Sequence, residues 1–228
     1  MPCFLAGVAS AESISTALKA PLYRFSHQCG HIMAALCSAG RLDLLGREFT
    51  ALHASGGTTE LLRVKGADGG FSAQIIGGTL DLNAGQVVDR VGVMLGMPFP
   101  SGKHLEAEAL KFAGAPYRPA VSRRGMYINL SGVENMAERL LRSGGSTSEI
   151  AAFVLDYLGR AIEKIIAESE SEYGSGPVVC AGGVMCNSII RRMLSEKHEV
   201  YFAEPDMSSD NAVGIAALAL NSYKTQGR

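Results

Sequence analysis

The sequence has no excess of positive charge, no long apolar run and few cysteines. Its 21 lysine and arginine residues are balanced by 22 aspartate and glutamate residues, which leaves a formal net charge of −1. This balance gives no electrostatic case for binding nucleic acid or an anionic membrane through bulk charge. The apolar runs are too short to span a bilayer. No basic residue precedes the short apolar segment at the start, so we expect no signal peptide.

The cysteines indicate a reducing compartment. There are five of them, an odd number at irregular spacing, which favours reduced thiols in a cytoplasm over a disulfide framework. Cys180 and Cys186 lack the paired short spacings of a zinc knuckle. Apolar residues make up 47% of the 228 positions, which is enough to build the core of one large domain or two small ones.

Two histidines stand four residues apart at the start of an apolar run. On a helix, the side chains of His27 and His31 would leave the same face. Two imidazoles placed in this way can bind a transition metal, which needs at least one further ligand. Asp210, at a loop-to-helix junction, is the candidate for that ligand. The alternatives are two histidines at a solvated helix start and an aspartate that caps a helix, and spacing alone favours them.

Two glycine-rich turns are candidates for binding phosphate. Ser55-Gly-Gly-Thr-Thr59 joins two strand-like segments, and the backbone N–H groups of such a hairpin can bind an anion. Gly182-Gly183 follows a buried strand and leads to Asn187 at the start of a helix, a junction that can seat a nucleotide. An ordinary hairpin and a tight packing turn are the alternatives, and Asn187 could simply cap its helix.

Two more positions could contact a ligand. Asp89 lies among valines on an amphipathic helix from about Gln86 to Leu95, either as a solvated residue or as a ligand at a pocket edge. Gly102 follows a proline-rich helix break and permits a close approach of the backbone to a ligand.

The opening of the chain predicts a helix over residues 8–19, a short buried strand at Leu22–Phe25 and a histidine-bearing helix to about Ser38. One strand and two helices cannot close a core within about 45 residues. Either this opening docks onto the rest of the chain, or it is the tail of a domain whose earlier strands are missing, and we favour the second interpretation. Further along, Ser146 and Glu149 have the spacing of a capping box ahead of the longest helix, about 147–170.

Taken together and in order, these segments resemble the tRNA threonylcarbamoyladenosine transferase family, formerly called O-sialoglycoprotein endopeptidases. The matching segments are His27-x-x-x-His31, the 54–61 hairpin with Thr58 where many bacterial members have histidine, Asp81 to Asp89 with Phe99 to Gly102, 129–135 with Glu134 in place of lysine, Ala181 to Asn187, and Asp210-Asn-Ala.

The resemblance implies an α/β fold of the actin-like ATPase type, which is a duplicated ribonuclease H-like fold, with an incomplete first half. Residues 1–46 and the C-terminal helix, 208–226, would belong to the first half. Residues 47–207 would form the second half.

The resemblance also implies an activity, which is transfer of a threonylcarbamoyl group from its adenylate to N6 of adenosine 37 of tRNA. His27, His31 and Asp210 would hold one Fe²⁺ or Zn²⁺ ion, and no nucleophilic side chain would be needed. The nucleotide, threonylcarbamoyl-AMP or ATP/ADP, would contact Ala54, Ser55, Gly56, Gly57, Thr58, Asp89, Gly102 and Asn187. The implied partners are tRNA, a paralogous subunit and a small ATPase. The resemblance implies no membrane partner, and it leaves open whether the chain forms a homodimer.

Two other functions are alternatives. A non-catalytic nucleotide-binding or scaffold protein could use the same fold with one wall of the cleft incomplete. The metalloendopeptidase activity of the old family name is the other. It is disfavoured because Gln28, Cys29 and Gly30 lie between the two histidines, so the glutamate of a His-Glu-x-x-His motif is missing.

Overall fold

A single mixed β-sheet organises the part of the chain that the computed structural model describes, which is residues 2–67, 69–115, 118–208 and 212–226. The strand order is β4-β5-β3-β2-β1-β6-β7. The strands are β1 (Phe49–Ala54), β2 (Thr59–Ala67), β3 (Gly70–Thr79), β4 (Arg123–Arg124), β5 (Tyr127–Ile128), β6 (Val178–Ala181) and β7 (Val200–Phe202).

Strand directions change at the centre of this sheet. β1, β2 and β3 form an antiparallel meander, whereas β6 lies parallel to β1 and β7 lies parallel to β6. Parallel neighbours need long crossovers, which helices supply. β1 therefore ends beside the carboxyl end of β6, and the turns that follow these two strands lie next to each other.

Helices cover both faces of the sheet. They are α1 (Pro2–Leu18), α2 (His27–Ser38), α3 (Ala84–Met94), α4 (Gly102–Ala109), α5 (Ser131–Arg142), α6 (Thr147–Tyr173), α7 (Ser188–Ser195), α8 (Pro205–Ser208) and α9 (Val213–Gln226), with 3₁₀ turns at Leu42–Gly46 and Gly183–Cys186. Residues of α2 and α9 share a core with one face of β1, β2 and β6. The helices α3 to α7 build the larger core on the opposite face.

The capping box predicted ahead of the longest helix is confirmed. Ser146 Oγ accepts a hydrogen bond from the Glu149 N–H at 3.2 Å, and Glu149 Oε2 accepts one from the Ser146 N–H at 3.3 Å. Both bonds satisfy donors that a helix start would otherwise leave free. The apolar stripe of α6 then packs in the larger core, with Ile162 and Ile165 fully buried.

The alternation of β1 decides which side chains meet α2. Successive residues of a strand point to opposite faces, so Phe49, Ala51 and His53 share one face. Phe49 and Ala51 belong to the core beneath α2, whereas Leu52 and Ala54 belong to the opposite core. His53 therefore ends an apolar row under the beginning of α2.

The prediction of a buried strand at Leu22–Phe25 is wrong. This segment carries no strand pairing, and Leu22 is 41% exposed. A strand needs a neighbour for its backbone N–H and C=O groups, and within the described residues the sheet provides none there.

The division into two halves at residues 46 and 47 stays a prediction. No helix among the described residues is long and apolar enough to cross a membrane.

Candidate functional site

The histidine pair forms as the spacing predicts. Ser26 caps α2 by accepting a hydrogen bond from the Cys29 N–H at 3.2 Å, which places His27 and His31 in the first two turns. Their Nε2 atoms are 3.0 Å apart. His31 is buried, at 5% exposure, whereas His27 is exposed. Two imidazole nitrogens bound to one ion at about 2.1 Å would lie about 3.0–3.4 Å apart, so the pair fits two ligands of a single metal ion.

A third imidazole, which sequence analysis missed, lies against this pair. The ring of His53 is 4.3 Å from the ring of His31, measured between centroids, and the two planes are tilted by 34°. His53 is buried, at 6% exposure. The sequence does show a histidine in a strand-like segment, two residues before a Ser-Gly-Gly turn. It does not show which face of that strand α2 covers, so the sequence alone could not place His53 beside the histidine pair.

A polar contact fixes the start of α2 over the same end of the sheet. Glu60 of β2 lies directly opposite His53 in the antiparallel register, and its Oε2 accepts a hydrogen bond from Gln28 Nε2 at 3.0 Å. The apolar face of the sheet thus becomes polar where β1 ends. The histidine pair lies at this transition.

The predicted phosphate hairpin follows His53 without a break. Its ends are tied by the Ser55 N–H, which donates to the Thr58 carbonyl at 2.7 Å. Ser55 Oγ accepts from the N–H groups of Gly57 and Thr58 at 3.3 and 3.1 Å. Both central glycines are exposed, and a Cβ on either of them would have no atom of the described residues within 4 Å. The tip of the hairpin is therefore open to a ligand.

Two glycines let neighbouring segments pack directly on the hairpin backbone. Gly85, in the first turn of α3, donates its N–H to the Ser55 carbonyl at 3.0 Å, and a Cβ there would lie 2.5 Å from Gly56 N. Gly182 has a φ of +97°, and a Cβ there would collide with the Ala54 carbonyl and lie 2.9 Å from His53 Cδ2. The second glycine-rich turn is therefore packed on the first.

Hydrogen bonds fix the segments that carry the predicted residues of the nucleotide side. Asp89 Oδ1 accepts from the Ser101 N–H at 2.8 Å, which fixes the residue before Gly102. Glu106 of α4 accepts from the Ser188 N–H at 2.7 Å and from the Ser188 hydroxyl. Asn187 Oδ1 caps α7 by accepting from two N–H groups at 3.1 Å. Asn187 therefore caps its helix, which is one of the two predicted alternatives. Asp89 is not simply a solvated residue, because its carboxylate accepts a hydrogen bond from the backbone.

Asp81 anchors the loop ahead of α3 to the start of α5. Its carboxylate accepts from the N–H groups of Leu82 and Leu130 at 2.7 Å and from the Ser131 hydroxyl at 2.6 Å. Partial burial opposes ionisation, but these hydrogen bonds outweigh it and lower the pKa of Asp81 to about 2. The carboxylate is therefore ionised at neutral pH.

The structure thus brings the histidine pair to the start of the 54–58 hairpin, and Gly102 to the helices that carry Asp89 and Asn187. Gly85, on the helix that carries Asp89, packs on the hairpin and so connects the nucleotide-side residues to it. Asp210 lies outside the described residues. Among the residues that are described, no group of three or more His, Cys, Asp or Glu side chains could hold a metal ion.

Comparison with solved structures defines the class of the fold. The structure of full-length HypF in its phosphate- and nucleotide-bound form superposes with a TM-score of 0.71 at 15% identity, over 94% of this chain and 38% of that one. Component A of the (R)-2-hydroxyglutaryl-CoA dehydratase of Acidaminococcus fermentans gives a TM-score of 0.54 at 17% identity, over 90% and 70%. The chain has the actin-like ATPase type of fold, as expected.

Sequence comparison then gives the family. The family described as TsaD, tRNA N6-adenosine threonylcarbamoyltransferase, matches residues 1–217, and the chain belongs to this family. Proteins with the same name are 29% identical over 98% of this chain in Syntrophobacter fumaroxidans and 31% identical over 94% in Syntrophotalea carbinolica. The chain spans 70% and 66% of these two relatives and 63% of a relative from Jannaschia sp.. Nothing in these names favours a scaffold or a peptidase.

Proposed function

We propose that this chain transfers a threonylcarbamoyl group from threonylcarbamoyl-adenylate to N6 of adenosine 37 of tRNA. The observation that supports this most directly is the position of the His27–His31 pair at the start of the 54–58 hairpin. A histidine pair that could bind a cation and an open glycine turn, both at the carboxyl end of β1, would suit a substrate that carries a phosphate next to its reacting carbonyl.

In this reaction the N6 amine attacks the carbamoyl carbon. A new C–N bond forms, the bond from that carbon to the phosphate oxygen breaks, and AMP leaves as N6 loses a proton. No covalent enzyme intermediate is needed. The protein contributes by positioning the two substrates and by stabilising the negative charge that develops on the carbonyl and phosphate oxygens.

His27, His31 and Asp210 would hold one divalent ion, Fe²⁺ or Zn²⁺. When bound, this ion supplies Lewis-acid polarisation of the carbamoyl carbonyl and positive charge beside the phosphate. The fit of the residues rests on the 3.0 Å separation of the two Nε2 atoms. Three protein ligands would leave positions open for substrate oxygens.

The hairpin would bind the phosphate through its backbone. The amides of Gly57 and Thr58 converge on Ser55 Oγ, so an acceptor oxygen already sits where they point. A phosphate oxygen would take that position, with the Ser55 hydroxyl turned to donate to another oxygen. Charge-assisted hydrogen bonds of this kind are shorter and stronger than neutral ones.

The nucleoside would lie on the other side of the hairpin, against Gly102 and Asn187. Asp89 fixes the Gly102 segment through Ser101, and Glu106 fixes the start of α7 through Ser188. The two carboxylates would thereby hold this wall of the site in one geometry. We place the protein in the cytoplasm with tRNA, acting with a paralogous subunit and a small ATPase.

The experiment is reconstitution with tRNA that lacks the modification. The chain is mixed with the partner subunits, threonylcarbamoyl-adenylate and the tRNA, and the digested nucleosides are measured by mass spectrometry. We expect threonylcarbamoyladenosine with the wild type and with His104→Ala, a control at an exposed histidine of α4, and its loss with His27→Ala. Failure of the wild type to form the product, with ADP binding intact, would instead select the scaffold function.

A further inference from the structure

The side chain of Arg191 folds back from α7 onto the turn that leads into this helix. Its Nε donates a hydrogen bond to the Met185 carbonyl at 2.7 Å. Met185 is buried and belongs to the 3₁₀ turn Gly183–Cys186, which continues the second glycine-rich turn. Arg191 thus holds the backbone two residues before Asn187, which is a predicted contact of the nucleotide.

The same guanidinium also binds the end of a neighbouring strand. Its Nη2 donates to the Ala203 carbonyl at 2.6 Å. Ala203 directly follows β7, and its N–H donates to the Cys180 carbonyl of β6 at 3.0 Å. The guanidinium carbon lies 4.9 Å from the centroid of the Phe202 ring, which is a cation–π distance. One charged group therefore joins the turn after β6 to the end of β7.

This contact requires the shape of an arginine side chain. Nε and Nη2 lie on one edge of a planar group, so their two N–H bonds point in fixed directions. Both hydrogen bonds come from a charged donor, which makes them shorter and stronger than neutral ones. The single nitrogen of a lysine could keep the charge but could not reproduce this pair of directions.

We infer that Arg191 is a positioning residue for the nucleotide. This role rests on the proposed function, because it concerns the nucleotide side of the same site. Arg191 would act through Asn187, whose N–H donates to the Val184 carbonyl at 3.2 Å. With the turn held at Met185, Asn187 keeps one position beside Gly182, which packs on the phosphate hairpin.

Helix α7 itself is held by other contacts. Asn187 caps its start, and Ser188 is fixed by Glu106. Ile190 and Leu194 are fully buried in the larger core. The 3₁₀ turn has the poorer hydrogen-bond geometry that is typical of such turns. Loss of Arg191 should therefore displace the turn more than the helix.

The test is ADP titration of the full chain by calorimetry. Arg191→Met keeps an apolar stem but removes the charge and both donors, and it should weaken ADP binding by about tenfold, a value within the range for residues of one hydrogen-bond network. Arg191→Lys should fall between this variant and the wild type. Arg192→Met is the matched control, because it removes the same charge from an exposed position of the same helix, and it should leave ADP affinity unchanged.

Two further readouts separate positioning from a purely structural role. Losses in ADP affinity from Arg191→Met and Asn187→Ala should not add in the double variant, because one acts through the other. In the reconstituted reaction, Arg191→Met should raise KM for threonylcarbamoyl-adenylate and leave KM for tRNA unchanged. Additive losses, or an Asn187→Ala protein with wild-type ADP affinity, would show that Arg191 does not act through Asn187 and would overturn the inference.

Thermal unfolding verifies that each variant is folded. A lower Tm with wild-type ADP affinity in folded Arg191→Met would limit Arg191 to stability and would overturn its positioning role alone, provided that the wild type binds ADP and forms the product. A wild type that neither binds ADP nor forms the product would overturn the proposed function together with this inference.

Discussion

Replacing Gly85 by alanine should separate the phosphate hairpin from helix α3. A Cβ at this position would lie 2.5 Å from Gly56 N and 2.6 and 2.7 Å from the carbonyl carbon and oxygen of Ser55. These are backbone atoms, so no side-chain rotation can relieve the contact. The hydrogen bond from the Gly85 N–H to the Ser55 carbonyl, 3.0 Å long, should lengthen or break.

The magnitude follows from three contributions. Overpacking costs about 1–3 kcal/mol, and the lost hydrogen bond costs about 1 kcal/mol. Alanine returns about 0.5–1 kcal/mol because it is the better helix former. The net loss is about 1–3.5 kcal/mol, which for a chain of this size lowers Tm by roughly 2–14 °C. Displacing the hairpin should also weaken ADP binding by about tenfold, which equals about 1.4 kcal/mol.

The assay combines thermal unfolding with ADP titration of the Gly85→Ala protein. Gly132→Ala is the matched control, because Gly132 is likewise the second residue of a helix and a Cβ there would contact nothing within 4 Å. It should be neutral or stabilise by up to about 1 kcal/mol and should leave ADP affinity unchanged. Equal Tm and ADP affinity in Gly85→Ala and wild type would show that the contact with α3 does not hold the hairpin in place.

Three further predictions concern single side chains. Asp81→Asn should lower the free energy of unfolding by about 1 kcal/mol at neutral pH. Because the pKa of Asp81 is about 2 in the folded protein, its contribution is fully present above about pH 4. Wild type and variant should therefore converge in urea unfolding as pH falls towards 2, and a constant difference would contradict this. Asn187→Ala and Ser146→Ala each remove a helix cap and should each cost about 1 kcal/mol. Only Asn187→Ala should weaken ADP binding, and equal ADP affinities in the two variants would limit Asn187 to capping. Burial raises the pKa of Cys180 to about 12, so iodoacetamide at pH 8 should label the half-buried Cys186 and spare Cys180 until the protein is denatured, as peptide mass spectrometry can verify.

Local patterns were sufficient to predict the elements that carry the site. The i, i+4 spacing gave the shared face of His27 and His31, and Ser146 with Glu149 gave the start of α6. The serine–glycine turn gave the hairpin between β1 and β2. Each of these depends on contacts within a few residues, which a sequence displays directly.

Features that depend on tertiary contacts were not predictable. The apolar segment Leu22–Phe25 resembles a strand, but strand formation requires a neighbour that no local pattern reveals. His53 was missed because its neighbour His31 lies 22 residues earlier in the chain. The hydrogen bond from the Ser101 N–H to Asp89 likewise joins two segments that periodicity treats separately.

The histidine pair and the 54–58 hairpin are proposed to form one site for a metal ion and a phosphate group. Phosphorus NMR of ADP bound to the chain, titrated with paramagnetic Co²⁺, tests this directly. We predict strong broadening of the phosphate resonances with the wild type and little with a protein that lacks both His27 and His31. Phosphate resonances of bound ADP that stay sharp while Co²⁺ occupies the histidine pair would contradict the claim.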